Sequence, residues 1–282
     1  MKSINFSCNG CGGCCKGGVS LTYDEAVHSH SGDFPIAVIF SVVDVRNVPI
    51  EKEKTSYAKA MKKNSKENLA FYFKSKDNRK LVVHPEIITL LPGVKSCPNL
   101  DWDGKCSIYS RRPKACMLYP FRVDTPELYM MEGVRRERSR SFELEGHPQA
   151  CQGFDDAEQL IIWQGRPVSD LEPSVLRLRN AEAAFGKNIL KQFFLELAEN
   201  DEIADKIVEY SELNKSDERV IQASFGKFVR YLIKSGQITR AHGESLIGAN
   251  KLQLQNQIKD IDAKKDETVY DNFLTHLSEH FL

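Results

Sequence analysis

The chain has 282 residues and a mass of 32.0 kDa, enough for one large domain or two modest ones around a buried core. Lys+Arg and Asp+Glu both number 39, so the net charge is zero, which excludes a globally basic nucleic-acid binder and an acidic disordered chain. Composition is that of a globular protein, with no apolar run near the ~18 residues of a membrane span and no hydrophobic leader in MKSINFSCNG, so a cytoplasmic protein is expected.

The first block, FSCNGCGGCCKGG, sets four cysteines and five glycines between Phe6 and Gly18. Such a loop folds tightly around something. Val19-Ser20-Leu21 reads as a short strand. Thr22, with Glu25 three residues later, forms a capping box that opens a helix to about His30. Residues 36–45, IAVIFSVVDV, are apolar and β-branched and predict a buried strand. Residues 51–68 hold six lysines with little apolar periodicity, and predict a solvated helix or loop. LAFYFK (69–74) and RKLVVH (79–84) predict two strands joined by a turn at 75–78, after which 85–96 lead into the second cysteine block.

That block is CPNLDWDGKCSIYSRRPKACMLYPF, residues 97–121. Asp103-Gly104 signals a turn, and Pro98, Pro113 and Pro120 prevent a long helix. RVDTPELYMMEGV (122–134) alternates enough to predict a hairpin. Arg135, Arg136, Arg138 and Arg140 then form a basic cluster on a solvated strand or turn face, or on a patch that meets an anion.

Beyond Cys151 the pattern becomes helical. Ile189, Leu190, Phe193, Phe194 and Leu197 share one stripe; Val220, Ile221, Phe225, Phe228, Val229 and Leu232 share another, with Ser216 as its N-cap. Gly236 ends that helix, Thr239 caps the next, which runs to about Lys259, and a last helix is expected near 267–279. The fold class expected is α+β: a small cysteine-rich α+β domain over 1–155, then a mainly α-helical region over 156–282. Charge divides in the same way. Residues 1–151 carry 23 basic against 17 acidic side chains, a net +6, and the remainder carries 16 against 22, a net −6. Some attraction between the two regions is expected.

All eight cysteines lie in residues 1–151. A reducing compartment argues against structural disulfides. Thiols two residues apart can grip one metal while turn N–H groups steady the thiolate charge. Cys8-x2-Cys11-x2-Cys14 also has the spacing of ferredoxin-type iron–sulfur loops, whose fourth ligand is a cysteine before proline, as in Cys97-Pro98. The spacing is not the Cys-x3-Cys-x2-Cys of radical SAM enzymes. Adjacent Cys14 and Cys15 point apart, so one joins Cys8 and Cys11 and the other serves a second site or a redox role. Cys97, Cys106, Cys116 and Cys151 complete the first site or form a second. The candidate ligands are therefore all eight, Cys8, Cys11, Cys14, Cys15, Cys97, Cys106, Cys116 and Cys151. Gly10, Gly12 and Gly13 would let the backbone wrap the metal. Tyr109, Tyr119 and Phe121 are expected to pack around it, and Arg112 to orient a carboxylate or to pair with Asp101 or Asp103. His28, His30 and His147 read as structural or surface groups.

These residues resemble a known group. Cys8-Asn-Gly-Cys11-Gly-Gly-Cys14-Cys15 looks like the CxxCxxCC signature of the YkgJ-type cysteine-cluster family. The second block is similar too, in Cys97-Pro98, Gly104-Lys-Cys106-Ser-Ile-Tyr109, Arg112-Pro113-x2-Cys116 and Tyr119-Pro120-Phe121. The resemblance covers about residues 6–155 and implies zinc or iron chelation by the clustered cysteines. The flagellin lysine methylases share this domain, and for them an iron–sulfur cluster and S-adenosylmethionine are implied. This chain departs from that branch in its tighter first block, with Gly12-Gly13, and in its shorter length. The primary expectation is a protein that binds iron, as an iron–sulfur cluster of the 4Fe-4S kind, or Zn2+, and whose helical region docks a protein partner. Two alternatives stay open: an S-adenosylmethionine-using protein-lysine methyltransferase and a thiol redox protein. No glycine-rich strand–helix loop of the usual methyltransferase type is present.

Overall fold

The computed structural model describes residues 3–6, 8, 15, 18–44, 69–90, 97–103, 105–121, 129–143, 154, 160–163, 166–167, 173–212 and 220–260. Eight strands are described: β1 (Ser3–Asn5), β2 (Ser20–Leu21), β3 (Ile36–Asp44), β4 (Phe71–Lys74), β5 (Lys80–Thr89), β6 (Leu160–Trp163), β7 (Arg166–Pro167) and β8 (Val220–Ser224). The helices are α1 (Lys114–Leu118), α2 (Met130–Glu143), α3 (Pro173–Ala198), α4 (Asp201–Glu212), α5 (Phe225–Lys234) and α6 (Arg240–Asp260). This is the expected α+β class.

The main sheet is antiparallel. β3 lies between β5 and β8, and the far edge of β5 pairs with β2 at one end and β4 at the other. The apolar run predicted as a buried strand is thus covered by neighbours on both edges. Its alternate side chains Ile36, Val38, Phe40 and Val42 enter the main core, while Ala37 meets Leu254 of α6. The hairpin predicted at 75–78 is present. Asn78 takes the left-handed conformation at φ 66°, and its N–H donates to Ser75 at 2.9 Å. β5 runs beyond the six residues expected, through Pro85, which falls between the stretches where the far edge pairs with β4 and with β2.

Helices cover this sheet through aromatic rings. Phe194 of α3 touches Phe40, Phe71 and Phe73 at centroid distances of 5.0, 5.6 and 5.1 Å. Phe193 lies 5.2 Å from Phe228 of α5. Each ring so buried contributes roughly 1.5–3 kcal/mol of apolar transfer. The helical stripe expected at 189–197 is therefore the one that seats α3 on the sheet. Asn250 of α6 clamps β3 from elsewhere, accepting from Ile36 N–H at 2.6 Å and donating to Ile36 O at 3.3 Å. Gly236 closes α5 at φ 72°, and Thr239 caps α6 by accepting from His242 N–H at 3.3 Å, both as expected.

Two expectations are corrected, and the mainly helical region proves to add strands to both sheets. Val220 and Ile221 do not belong to a helical stripe. They form β8, and α5 starts at Phe225 with Ser224 as N-cap, its hydroxyl accepting from Lys227 N–H at 3.2 Å. Ile221 and Ala223 are buried while Gln222 between them is exposed, a period of two in a run too short to betray it. The hairpin expected at 122–134 fails at its second half, because Met130 opens α2; the basic cluster lies on this helix, where Arg136 pairs with Glu132 one turn earlier at 2.8 Å. The strands so added are β6, paired with β1, and β8, paired with β3. Ser216, residues 51–68 and residues 267–279 lie outside the described residues. Among the described residues no helix is long and apolar enough to cross a membrane.

Candidate metal centre

The two cysteine blocks are far apart in sequence, so the fold must bring them together. Several bonds do so. Cys97 N–H donates to Cys15 O at 2.8 Å, and Tyr109 Oη donates to Cys8 O at 3.2 Å. Phe6, just before Cys8, is buried between Phe154 and Tyr119 at centroid distances of 4.9 and 5.6 Å.

The capping box read from Thr22 and Glu25 is made: Thr22 N–H donates to Glu25 Oε2 at 2.9 Å, and Glu25 N–H to Thr22 Oγ1 at 3.2 Å. It opens a π-helical turn, Glu25–Ser29. The second oxygen of Glu25 accepts from Lys114 N–H at 2.5 Å. One buried carboxylate therefore ties the segment after the first block to α1, which carries Cys116. Lys114 also reaches Glu182 of α3 with its Nζ, 2.8 Å from Oε2, in a half-buried pair that joins the basic and acidic regions. Asp33 adds a further link. It pairs with Arg111 and accepts from His30 Nδ1 at 2.9 Å, and its carbonyl accepts from Asn99 Nδ2 at 2.9 Å.

The second block folds compactly. Asp101 N–H donates to Lys105 O at 2.8 Å, and Ser107 N–H to Asn99 O at 2.8 Å, so the chain doubles back between Cys97 and Cys106; Gly104 of the expected turn lies outside the described residues. Ile108 enters the main core, and both cysteines pack against it. α1 is confined as its prolines dictate, by Pro113 at its N-cap and Pro120 just after it.

Five described cysteines, Cys8, Cys15, Cys97, Cys106 and Cys116, are half-buried. They feel one another's charge: Cys15 acts on Cys97, Cys106 and Cys116, and Cys8 acts on Cys106. Burial pushes the Cys97 thiol up to about 11 and the Cys116 thiol up to about 12, and neighbouring sulfurs add to both shifts. Burial raises Cys106 too, against the pull of Arg112. Without metal these three are neutral thiols. A cation arriving among them would exchange for their protons, since metals bind the thiolate. Among the described residues no group of three Cys, His, Asp or Glu side chains could by itself hold an ion. Cys11, Cys14 and Cys151, and Gly10, Gly12 and Gly13, lie outside the described residues.

Arg112 tests whether these residues suit a thiolate centre. Its guanidinium carbon lies 3.7 Å from the centre of the Tyr109 ring, and its buried Nε has no hydrogen-bond partner among the described residues. It is close enough to lower both Cys106 and Cys116. A donor in that position suits sulfur that has lost its proton. Arg112 does not take the role expected with Asp101 or Asp103, which instead bind Lys105, at 2.6 Å through its N–H and 2.8 Å through Nζ. Phe121 is buried, Tyr119 packs edge-on against Phe6, and Tyr109 lies under Arg112 with its hydroxyl on Cys8 O. His30 is structural, and His28 stacks on His242 at 5.4 Å; His147 lies outside the described residues. Sequence reasoning missed Glu25's second contact, Asp33, Asn99 and Phe6. Only Asn99, next to Cys97-Pro98, carried a local signal.

No curated protein and no solved structure matches the chain. One family model matches residues 7–152, just over half its length and all eight cysteines. That match, and the gathering of both blocks' described thiols in one neighbourhood, place the protein in the CxxCxxCC family, "Putative zinc- or iron-chelating domain".

Proposed function

We propose that the cysteines hold an iron–sulfur cluster of the 4Fe-4S kind, with Cys8, Cys11 and one of Cys14 and Cys15 as ligands from the first block and a cysteine of the later set closing the site. The observation that carries this reading is that described thiols of the two blocks lie close enough to raise one another's pKa, Cys15 acting on Cys97, Cys106 and Cys116 and Cys8 acting on Cys106. The Cys-x2-Cys-x2-Cys run and the Cys97-Pro98 pair support iron–sulfur over zinc. The surplus sulfurs and Arg112 would set the charge around the cluster. A cytoplasmic setting, where thiols stay reduced, suits such a centre. The raised Cys97, Cys106 and Cys116 count against these three as thiol-redox nucleophiles, which need a lowered pKa.

Anaerobic purification, followed by a visible spectrum and iron, zinc and acid-labile sulfide analysis on one sample, tests the proposal. A broad band near ~400 nm with matched iron and sulfide is expected. A colourless protein with stoichiometric zinc would replace the cluster by a structural zinc site. Binding of labelled S-adenosylmethionine to the loaded protein would extend the reading to methyl transfer, and its absence would end that alternative.

A further inference from the structure

Beside α1 lies a cavity of about 380 Å3. Its floor is the β2–β5 edge, and its walls are α1 and α3. The sequence of α3 explains why space remains there. Arg179, Ala183, Gly186 and Lys187 recur at helical spacing on the face that lines the cavity. Ala183 is small, and Gly186 brings α3 so close to Tyr23 that a Cβ there would lie 3.0 Å from Tyr23 Cβ.

The chemistry of the lining is uneven. Arg179 is only 4% exposed, so its cation sits in a poor solvent. Lys187 adds a second positive charge from the same face. Glu86, which is exposed, is the one acid among the described lining residues. His84 is held neutral at pH 7 by burial, which lowers its pKa, so it adds hydrogen-bonding capacity rather than charge. The remaining surface is largely apolar and aromatic, with Tyr119 and Phe121 on one side and Leu190 on the other. A positive, low-dielectric pocket with hydrocarbon walls selects an anion that carries an apolar body. A guanidinium fork matches a carboxylate in geometry, and free phosphate would leave the apolar walls without use.

We infer that this cavity is a binding site for a small organic carboxylate, with Arg179 and Lys187 facing the carboxylate and the aromatic walls enclosing the rest. The inference stands on the cavity and does not depend on which metal the cysteines hold.

Ligand-observed NMR on the full chain, as purified with its metal, tests it. The probes are 3-phenylpropionate, octanoate and indole-3-acetate, with 3-phenylpropionamide and inorganic phosphate as controls. At least one carboxylate is expected to bind, and the amide of phenylpropionate at least about tenfold more weakly than its acid. Phosphate should not compete. Ala183→Phe, which fills the cavity, and Arg179→Gln, which removes the cation, should each abolish binding with metal content and circular dichroism unchanged. Should Arg179→Gln fail to fold, Ala183→Phe decides alone. Failure of all three carboxylates to bind, equal binding of acid and amide, competition by phosphate, or full binding by Ala183→Phe would each overturn the assignment.

Discussion

Arg112 stands between the chemistry and the packing of the cysteine region. Its flat face rests on Tyr109, which in turn bonds the backbone of Cys8, and its charge is close enough to pull down the pKa of Cys106 and Cys116. Removing the guanidinium should leave the thiolates of a loaded centre without that donor. Arg112→Met is expected to weaken metal retention roughly tenfold to a hundredfold, the usual cost of losing an outer partner, as read by competition with a chelator. Arg112→Lys keeps the charge but loses the stacking fork, and should fall between. Wild-type retention in both variants would remove Arg112 from the centre.

Asp33 carries the pH dependence at this scale. Burial raises its carboxyl, but hydrogen bonds from Arg111 and His30 outweigh burial and hold it below the ordinary 3.8. The folded state therefore binds this proton less tightly than the unfolded chain. Its contribution to stability is full above about pH 4 and fades as pH falls through the lower folded value. Asp33→Asn should cost about 1–3 kcal/mol at pH 7 and shrink the loss seen on acidification. Urea unfolding at pH 7 and pH 3 checks both; a variant that loses as much as wild type between those pH values would contradict the assignment.

Among the elements, the π-helical turn at Glu25–Ser29 and α1 are joined through a single carboxylate. Glu25→Ala would strip two N–H groups, those of Thr22 and Lys114, of their partner. A cost of about 1–3 kcal/mol for each buried donor is expected, with metal content falling because α1 carries Cys116. Calorimetry and metal analysis on one preparation measure the two effects together. At α5, Ser224→Ala should cost about 1 kcal/mol through loss of the N-cap and leave metal content untouched. These two variants separate general stability from the integrity of the site.

The elements also mark the limit of legibility. β3, the β4–β5 hairpin, α3 and α6 were readable because each is long or bounded by a clear turn or cap. β8 was not, because five residues of strand run directly into an amphipathic helix, and the periods of two and 3.6 overlap in so short a window. α2 was misread because its first apolar residues alternate while the Glu132–Arg136 pair that favours a helix lies later in the segment. The candidate ligands were legible from spacing. The bonds that unite the blocks were not, since a capping residue such as Glu25 gives no sign in sequence that its other oxygen reaches a helix 89 residues away.

For the whole molecule, the expected division at 155 falls between strands that pair. β8 covers one edge of β3, and α3 and α5 bury the aromatic core of the same sheet. The core centred on Phe40, Phe194 and Phe228 is built from apolar side chains of the sheet, α3 and α5. The cysteine region, by contrast, joins segments separated by long stretches of chain, and bound metal would hold them closed. Chelation is therefore expected to speed amide exchange in residues 15–21 and 97–121 while residues 189–197 and 225–232 keep their protection. Uniform loss of protection would contradict this partition.

X-ray absorption at the edge of the metal found in the anaerobic protein tests the central claim most directly. The account predicts a first shell of sulfur alone near ~2.3 Å, with a further metal–metal distance if the centre is a cluster, and loss of that shell in Cys11→Ser. A first shell made mainly of nitrogen or oxygen would contradict it.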